Sequence, residues 1–198
     1  MINNEENEME VPKILNLDDD FTLIKRFNEG DEIAFKKLVN KHKEKVRNLV
    51  YLTVGNSNSI DDISQDVFIT VYKSVGKFRF DAQFTTWLYK VTINKCKDHL
   101  RKVKLRSIFM PINDDEEELP ASAEFNTNSD VSEIVQNAIR KLPDKLRIPL
   151  VLREIQEMSY QEIADSMQSE IGTVKSRIFR ARENLKTYLK PYEKELIK

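Results

Sequence analysis

The sequence predicts an all-α chain of two small helical domains joined by an acidic flexible linker, and three observations carry that reading. Glycine and proline are scarce, 4 and 6 in 198 residues, which disfavours loop-rich β architecture. Apolar residues recur at spacings of three and four in several stretches, the period of a helix with one buried face. One stretch, 107–130, has no period: SIFMPINDDEEELPASAEFNTNSD carries two prolines and clustered acids, a composition that cannot bury a core. The expected order is an acidic tail at 1–20, a first domain at 21–106, the linker at 107–130 and a second domain at 131–198. A chain of this length holds one ordinary domain or two small ones.

The elements follow in order. From Asp31, the residues Ala34, Phe35, Leu38, Val39, Val46, Leu49 and Val50 repeat at three and four with lysines between them, which predicts an amphipathic helix. Gly55-Asn56-Ser57-Asn58-Ser59 breaks it, and Asp61 and Asp62 open a second helix whose Ile63, Val67 and Val71 fall at i, i+4, i+8. Gly76 ends that helix. After an aromatic loop, Thr85 or Thr86 is placed to cap a third helix running to about Val103. Beyond the linker, Val131 to Leu142 forms a short helix stopped before Pro143, and Asp144 to Glu154 another. Ser159-Tyr160-Gln161-Glu162 has the S-x-x-E form of a capping box and starts a helix over Tyr160 to Met167. After a short turn a longer basic helix runs from Ile171 to Leu189, so the pair suggests a helix-turn-helix.

Several function classes fall away on composition. Gly30, Gly55, Gly76 and Gly172 stand far apart, so no phosphate-cradling glycine loop can be written. A single cysteine, Cys96, excludes an internal disulfide. Cys96 and His99 at i, i+3 are too few for zinc, which needs three or four protein ligands, and His42 lies on another helix. Asp61, Asp62 and Asp66 serve better as charges at a helix start than as a catalytic cluster. We therefore expect no catalytic residue, no metal and no cofactor. The longest apolar stretches, such as Ile148 to Leu152, are far short of the ~20 residues of a membrane span, and the acidic N-terminus is unlike a signal peptide. The expected location is cytoplasmic, without membrane insertion.

A net charge of −1 hides a strong sorting of charge. Residues 77–106 hold nine basic and two acidic groups, whereas 111–130 hold seven acidic and no basic ones. Residues 171–198 return to eight basic against three acidic, and 1–20 carry one basic and seven acidic. Two basic blocks with an acidic connector suit a chain with two polyanion-binding surfaces. In the third helix Lys90, Asn94, Lys97 and Arg101 fall at i, i+4, i+7 and i+11, one face suited to a row of phosphates or to a merely solvated surface. Just upstream, Phe78, Phe80, Phe84, Trp87 and Tyr89 lie within 12 residues beside Lys77 and Arg79. Rings among cations can stack unpaired bases, or can form core; Trp87 and Phe84 are expected to be partly buried and the loop residues nearer the surface. In the last helix Thr173, Ser176 and Arg180 share a face at its N-terminal part, the part of a helix-turn-helix that meets base edges.

The residues also carry a resemblance. Asp62-Ile63-Ser64-Gln65-Asp66-Val67-Phe68, followed by Phe84-Thr85-Thr86-Trp87-Leu88-Tyr89-Lys90, resembles region 2 of bacterial sigma factors. Leu142-Pro143-Asp144-Lys145-Leu146-Arg147, then Ser159 to Ala164 and Gly172 to Arg182, resemble their region 4. The two regions alone, with no counterpart of region 3, look like the extracytoplasmic-function class. The resemblance implies a subunit, not an enzyme, that binds core RNA polymerase at the β′ clamp and β flap and directs it to promoter DNA, under the control of an anti-sigma factor in a stress or envelope response. Asp62, Gln65, Asp66, Phe68 and Tyr72 would dock on the β′ clamp. Phe78, Arg79, Phe80, Trp87, Lys90, Asn94, Lys97 and Arg101 would engage and melt the −10 element. Thr173, Lys175, Ser176, Phe179 and Arg180 would read the −35 element as duplex. A polymerase-independent helix-turn-helix regulator is the alternative. Two departures stand out: Gln168-Ser169-Glu170 occupies the turn where the family often has glycine, the residue freest to take φ > 0, and Phe80 stands where a small residue is common.

Overall fold

A computed structural model describes residues 19–55, 58–109 and 131–196. Residues 110–130 of the expected flexible linker and all but the end of the acidic tail lie outside the described residues, while 107–109, expected to open that linker, instead continue a helix. Among those residues every element is helical: α1 (Asp20–Asn28), α2 (Glu32–Val54), α3 (Ile60–Ser74), α4 (Phe84–Phe109), α5 (Val131–Arg140), α6 (Asp144–Glu154), α7 (Tyr160–Met167), α8 (Ile171–Leu189) and α9 (Glu193–Leu196). No helix among them is long and apolar enough to cross a membrane.

Helix α1 was not expected from the sequence. Asp19 caps it, accepting from the Thr22 amide at 3.0 Å and from the Thr22 hydroxyl at 2.6 Å, so an otherwise orphaned N–H is satisfied. Leu23 and Ile24 are fully buried. Asp20 Oδ1 lies 2.9 Å from His42 Nε2 and 2.8 Å from Lys41 Nζ, tying α1 to α2. Burial pushes the Asp20 carboxyl up, but the hydrogen bonds to His42 and Lys41 outweigh it and hold it below the ordinary value. Asp31 then caps α2 through the amides of Ile33 and Ala34, and α2 stops at Gly55, whose φ of +88° suits glycine. Helices α1 to α4 enclose one core, built on Val46, Val50, Val67, Val71, Phe84, Leu88 and Cys96.

Helix α4 starts at Phe84, one or two residues before the expected cap at Thr85 or Thr86, and runs to Phe109, past the Val103 that its pattern suggested. Thr85 and Thr86 lie inside its first turn, and the Thr86 hydroxyl makes a different bond, described below. Leu88 and Cys96 face the first core, while Tyr89 and Ile93 face a second one. A helix buried on two sides has no single apolar stripe.

That second core belongs to α5–α8 and is completed by Leu49 and Leu52 of α2 and Tyr89 and Ile93 of α4. The two helical units therefore share a packed joint, reinforced where the Tyr51 hydroxyl donates to Gln136 Oε1 at 2.8 Å. Within the second unit, α6 is buried almost all round, from Leu146 to Leu152. Arg147 is 7% exposed. Its guanidinium donates to the Arg140 carbonyl at 2.9 Å and to Asp144 Oδ1 at 2.5 Å. An orphan carbonyl at the end of α5 is thus satisfied by a cation, which explains the arginine that follows Leu142-Pro143-Asp144. The predicted capping box is present: Ser159 Oγ accepts from the Glu162 amide at 3.2 Å and Glu162 Oε2 accepts from the Ser159 amide at 2.8 Å. Helices α7 and α8 meet through a turn in which Gln168, not glycine, takes φ +52°. The Ser169 amide closes the turn on the Ala164 carbonyl at 3.0 Å.

Candidate nucleic-acid interface

The residues expected to dock on polymerase divide over two sides of α3. Gln65, Phe68 and Tyr72 line an apolar groove of ≈720 Å³ between α2 and α3, together with Phe35, Val39 and Ile69. Phe27, Phe35 and Tyr72 form a ring cluster with centroids 5.0 to 5.2 Å apart. The Tyr72 hydroxyl donates to Glu32 Oε1 at 3.1 Å, which raises its pKa by holding the proton against a carboxylate. Ile69, 51% exposed on the groove, was not singled out from sequence; its position one turn from Gln65 and Tyr72 was the available signal. Asp62 and Asp66 instead line a smaller polar cleft of ≈310 Å³ shared with Lys95, Asp98, His99 and Lys102 of α4. Burial, with Lys102 and Arg106 nearby, lowers the His99 pKa.

In the aromatic loop the structure corrects one expectation. Phe78 is not near the surface; it is 8% exposed and belongs to the first core. Its ring packs against Phe84 at 5.9 Å and Trp87 at 5.7 Å. Phe80 is exposed and held at φ +59°, a conformation in which a phenylalanine is a genuine outlier. Arg79 and Lys77 are exposed beside it, Phe84 is buried and Trp87 is half-buried, as expected.

The cation stripe on α4 is unequal along its length. Asn94 and Arg101 are exposed, with Arg101 3.0 Å from Asp98 of its own helix. Lys90 and Lys97 are half-buried. Thr86, four residues before Lys90, donates through Oγ1 to Glu162 Oε1 of α7 at 2.7 Å. Further along, burial first and the charge of Arg177 on α8 second lower the Lys97 pKa. The stripe thus runs along the joint with the second unit.

On α8, Val174, Ile178 and Ala181 are buried at i, i+4, i+7, which turns the opposite face outward. Lys175, Ser176, Phe179 and Arg180 are exposed and Thr173 is half-buried, so the five expected residues gather at the N-terminal end of one helix. Phe179 is 65% exposed. Lys175 Nζ sits 5.7 Å from the centre of the Tyr160 ring, and Arg182 pairs with Glu154 at 2.6 Å. The Ser176 hydroxyl donates to the Thr173 carbonyl at 2.9 Å.

Comparison with known proteins identifies the family. The family model of Sigma-70 region 2 matches residues 38–106 and that of Sigma-70, region 4 matches residues 132–185. The chain is 34% identical over 192 residues to the RNA polymerase sigma-H factor of Pseudomonas aeruginosa, covering 92% of this chain and 100% of that protein. It is also 34% identical over 182 residues to the ECF RNA polymerase sigma-E factor of Escherichia coli strain K12, covering 87% and 95%. In fold it is similar to the sigma factor RpoE of Bartonella quintana, solved with the anti-sigma factor NepR, with a TM-score of 0.65 and 23% identity over 79% of this chain and 96% of that one. A second fold likeness is to CnrH, solved with the cytosolic domain of CnrY, at a TM-score of 0.61 and 22% identity over 85% and 96%. With both regions matched in order and relatives aligned along nearly their whole length, the chain belongs to the extracytoplasmic-function sigma factors of the sigma-70 family.

Proposed function

We propose that this sigma factor joins core RNA polymerase through the α2–α3 groove, melts the −10 element with the Phe78–Trp87 segment and the α4 stripe, and reads the −35 element with α8. The observation that carries the reading is the placement of two basic helices, each with one exposed face, on separate units of one chain beside an apolar groove. Unpaired bases favour rings with cations, as at Phe80 and Arg79, whereas base edges in a major groove favour a helix presenting Ser176 and Arg180. Polymerase supplies the active site, and the chain works in the cytoplasm as a binding subunit. The domains that divide this labour are 21–106 and 131–198.

Reconstitution tests the reading. Core polymerase with this protein initiates from a cognate promoter, and Ile69→Glu prevents co-elution with core while the isolated variant stays folded. A helix-turn-helix regulator would bind duplex alone and support no initiation. The solved likenesses RpoE and CnrH are complexes with partner proteins, and we extend control by an anti-sigma factor to this chain. A pull-down from the host with tagged protein then recovers polymerase or one dominant second protein; polymerase alone under every growth condition places control in synthesis.

A further inference from the structure

Helix α1 ends ten residues before the region 2 match begins at residue 38, yet it delivers a ring to the edge of the aromatic loop. The Phe21 centroid lies 5.6 Å from that of Phe80 and 6.2 Å from that of Phe78, nearly parallel to the latter at 25°. Phe21 and Phe80 are 36% and 38% exposed. Behind them Phe78, Phe84 and Trp87 are packed ring on ring, so the exposed pair rests on a rigid base. Phe21 is itself held in place: the Asp19 cap, the Asp20 pairs to His42 and Lys41, and buried Leu23 and Ile24 tie α1 to α2 and the first core.

Two features distinguish this edge from ordinary core. First, its two outer rings remain open to water, and the loop keeps Phe80 in a left-handed conformation that is unfavourable for a non-glycine residue. Second, Lys77 and Arg79 are exposed on either side of Phe78, so phosphate-binding charge accompanies the rings. A ledge of two rings from separate elements, flanked by cations, has the chemistry of a platform for an unpaired base.

We propose that Phe21 belongs to the −10 melting site: with Phe80 it forms a two-ring ledge on which one unpaired base of the promoter strand stacks. The inference rests on the proposed role of the Phe78–Trp87 segment and extends that site to a helix that the region 2 match does not include. Phe21 acts as a specificity-tolerant contact, because every base has a π-face.

The test uses holoenzyme and a single-stranded oligonucleotide spanning the −10 element. Phe21→Leu, which keeps apolar bulk but removes the ring, weakens binding by about fivefold or more, the low end of the stacking range; Phe21→Tyr binds as the parent does. A photoreactive phenylalanine analogue at position 21 cross-links to the oligonucleotide in holoenzyme, which keeps the test decisive even if the leucine variant loses α1. Weakening by Phe80→Leu with parent-like binding by Phe21→Leu and no cross-link overturns the inference alone. Parent-like binding by both variants overturns the melting role of the segment and the inference with it.

Discussion

The Thr86–Glu162 bond makes the joint between the two units measurable. The Glu162 carboxylate divides its oxygens: Oε2 caps α7 through the Ser159 amide at 2.8 Å, and Oε1 accepts from Thr86 on α4 at 2.7 Å. Thr86→Val keeps shape and removes only the donor. Both side chains are half-buried, so water replaces part of the loss and the cost is about 1 kcal/mol, near the middle for a hydrogen bond. Glu162→Ala removes the same bond and the box as well, which adds about 1 kcal/mol, for about 2 in all. The double variant also costs about 2 kcal/mol, because the joint bond is already gone; the coupling is about 1 kcal/mol. Urea unfolding of the full chain at neutral pH reads all four proteins. Additive costs totalling about 3 kcal/mol would refute the bond across the joint. The pH dependence gives a second reading. The Thr86 hydroxyl, then the Ser159 amide, hold the Glu162 pKa below its ordinary value of 4.5. Its stabilising contribution is present above the unfolded pKa and is lost as pH falls through the folded one. Thr86→Val reduces that acid-side loss.

Three further outcomes follow from other parts of the molecule. Burial pushes the Cys96 thiol up to about 12, so the folded chain resists thiol reagents at neutral pH and reacts at a free-cysteine rate in urea; fast labelling of native protein would contradict its place in the first core. Gln168 holds φ +52° in the α7–α8 turn, and Gln168→Gly raises stability by about 0.5–1 kcal/mol in thermal unfolding, whereas a loss would show that its side chain contributes more than its backbone costs. Arg101→Ala lowers the slope of promoter affinity against salt by about one phosphate without affecting core assembly, and an unchanged slope would remove it from the DNA-binding face.

The sequence was most legible where a local signal acts on its own neighbours. Pro143, the Ser159–Glu162 box and the apolar repeats of α8 placed α6, α7 and α8 at their observed bounds. Helix α1 escaped because nine residues burying only Leu23 and Ile24 do not establish a period. What ties it to the fold includes Asp20 meeting His42, 22 positions away. The start of α4 was misjudged for a related reason: Thr86 is well placed for capping by local rules, but its hydroxyl is taken by Glu162, 76 positions away. Phe78 likewise looked like a surface ring because the aromatics that cover it arrive from α1 and α4. The gathering of the proposed −35 residues on α8 was readable, since one helix sets their spacing. The splitting of Asp62 and Asp66 from Gln65, Phe68 and Tyr72 was not, since it depends on which helix packs against each side of α3.

The joint also explains why the four residues of the α4 stripe are not equivalent. Lys97 is half-buried and feels Arg177 across the joint, so the packed chain carries a desolvated cation beside a like charge. Under the proposed function both basic helices meet phosphates, and an anion near Lys97 relieves this repulsion. The packed arrangement therefore binds a polyanion with a conflict already built in, while the apolar contacts of Leu49, Leu52, Tyr89 and Ile93 and the Thr86–Glu162 bond oppose separation. A ligand shifts such a balance only by its differential affinity for the two arrangements. Added salt acts on both terms in one direction: it screens the Lys97–Arg177 repulsion, leaving less of it for a bound anion to relieve, and it weakens the phosphate contacts themselves. DNA binding by the free chain should accordingly fall with salt more steeply than its phosphate contacts alone require, and Thr86→Val, by loosening the joint, should bring the slope back toward that of the contacts.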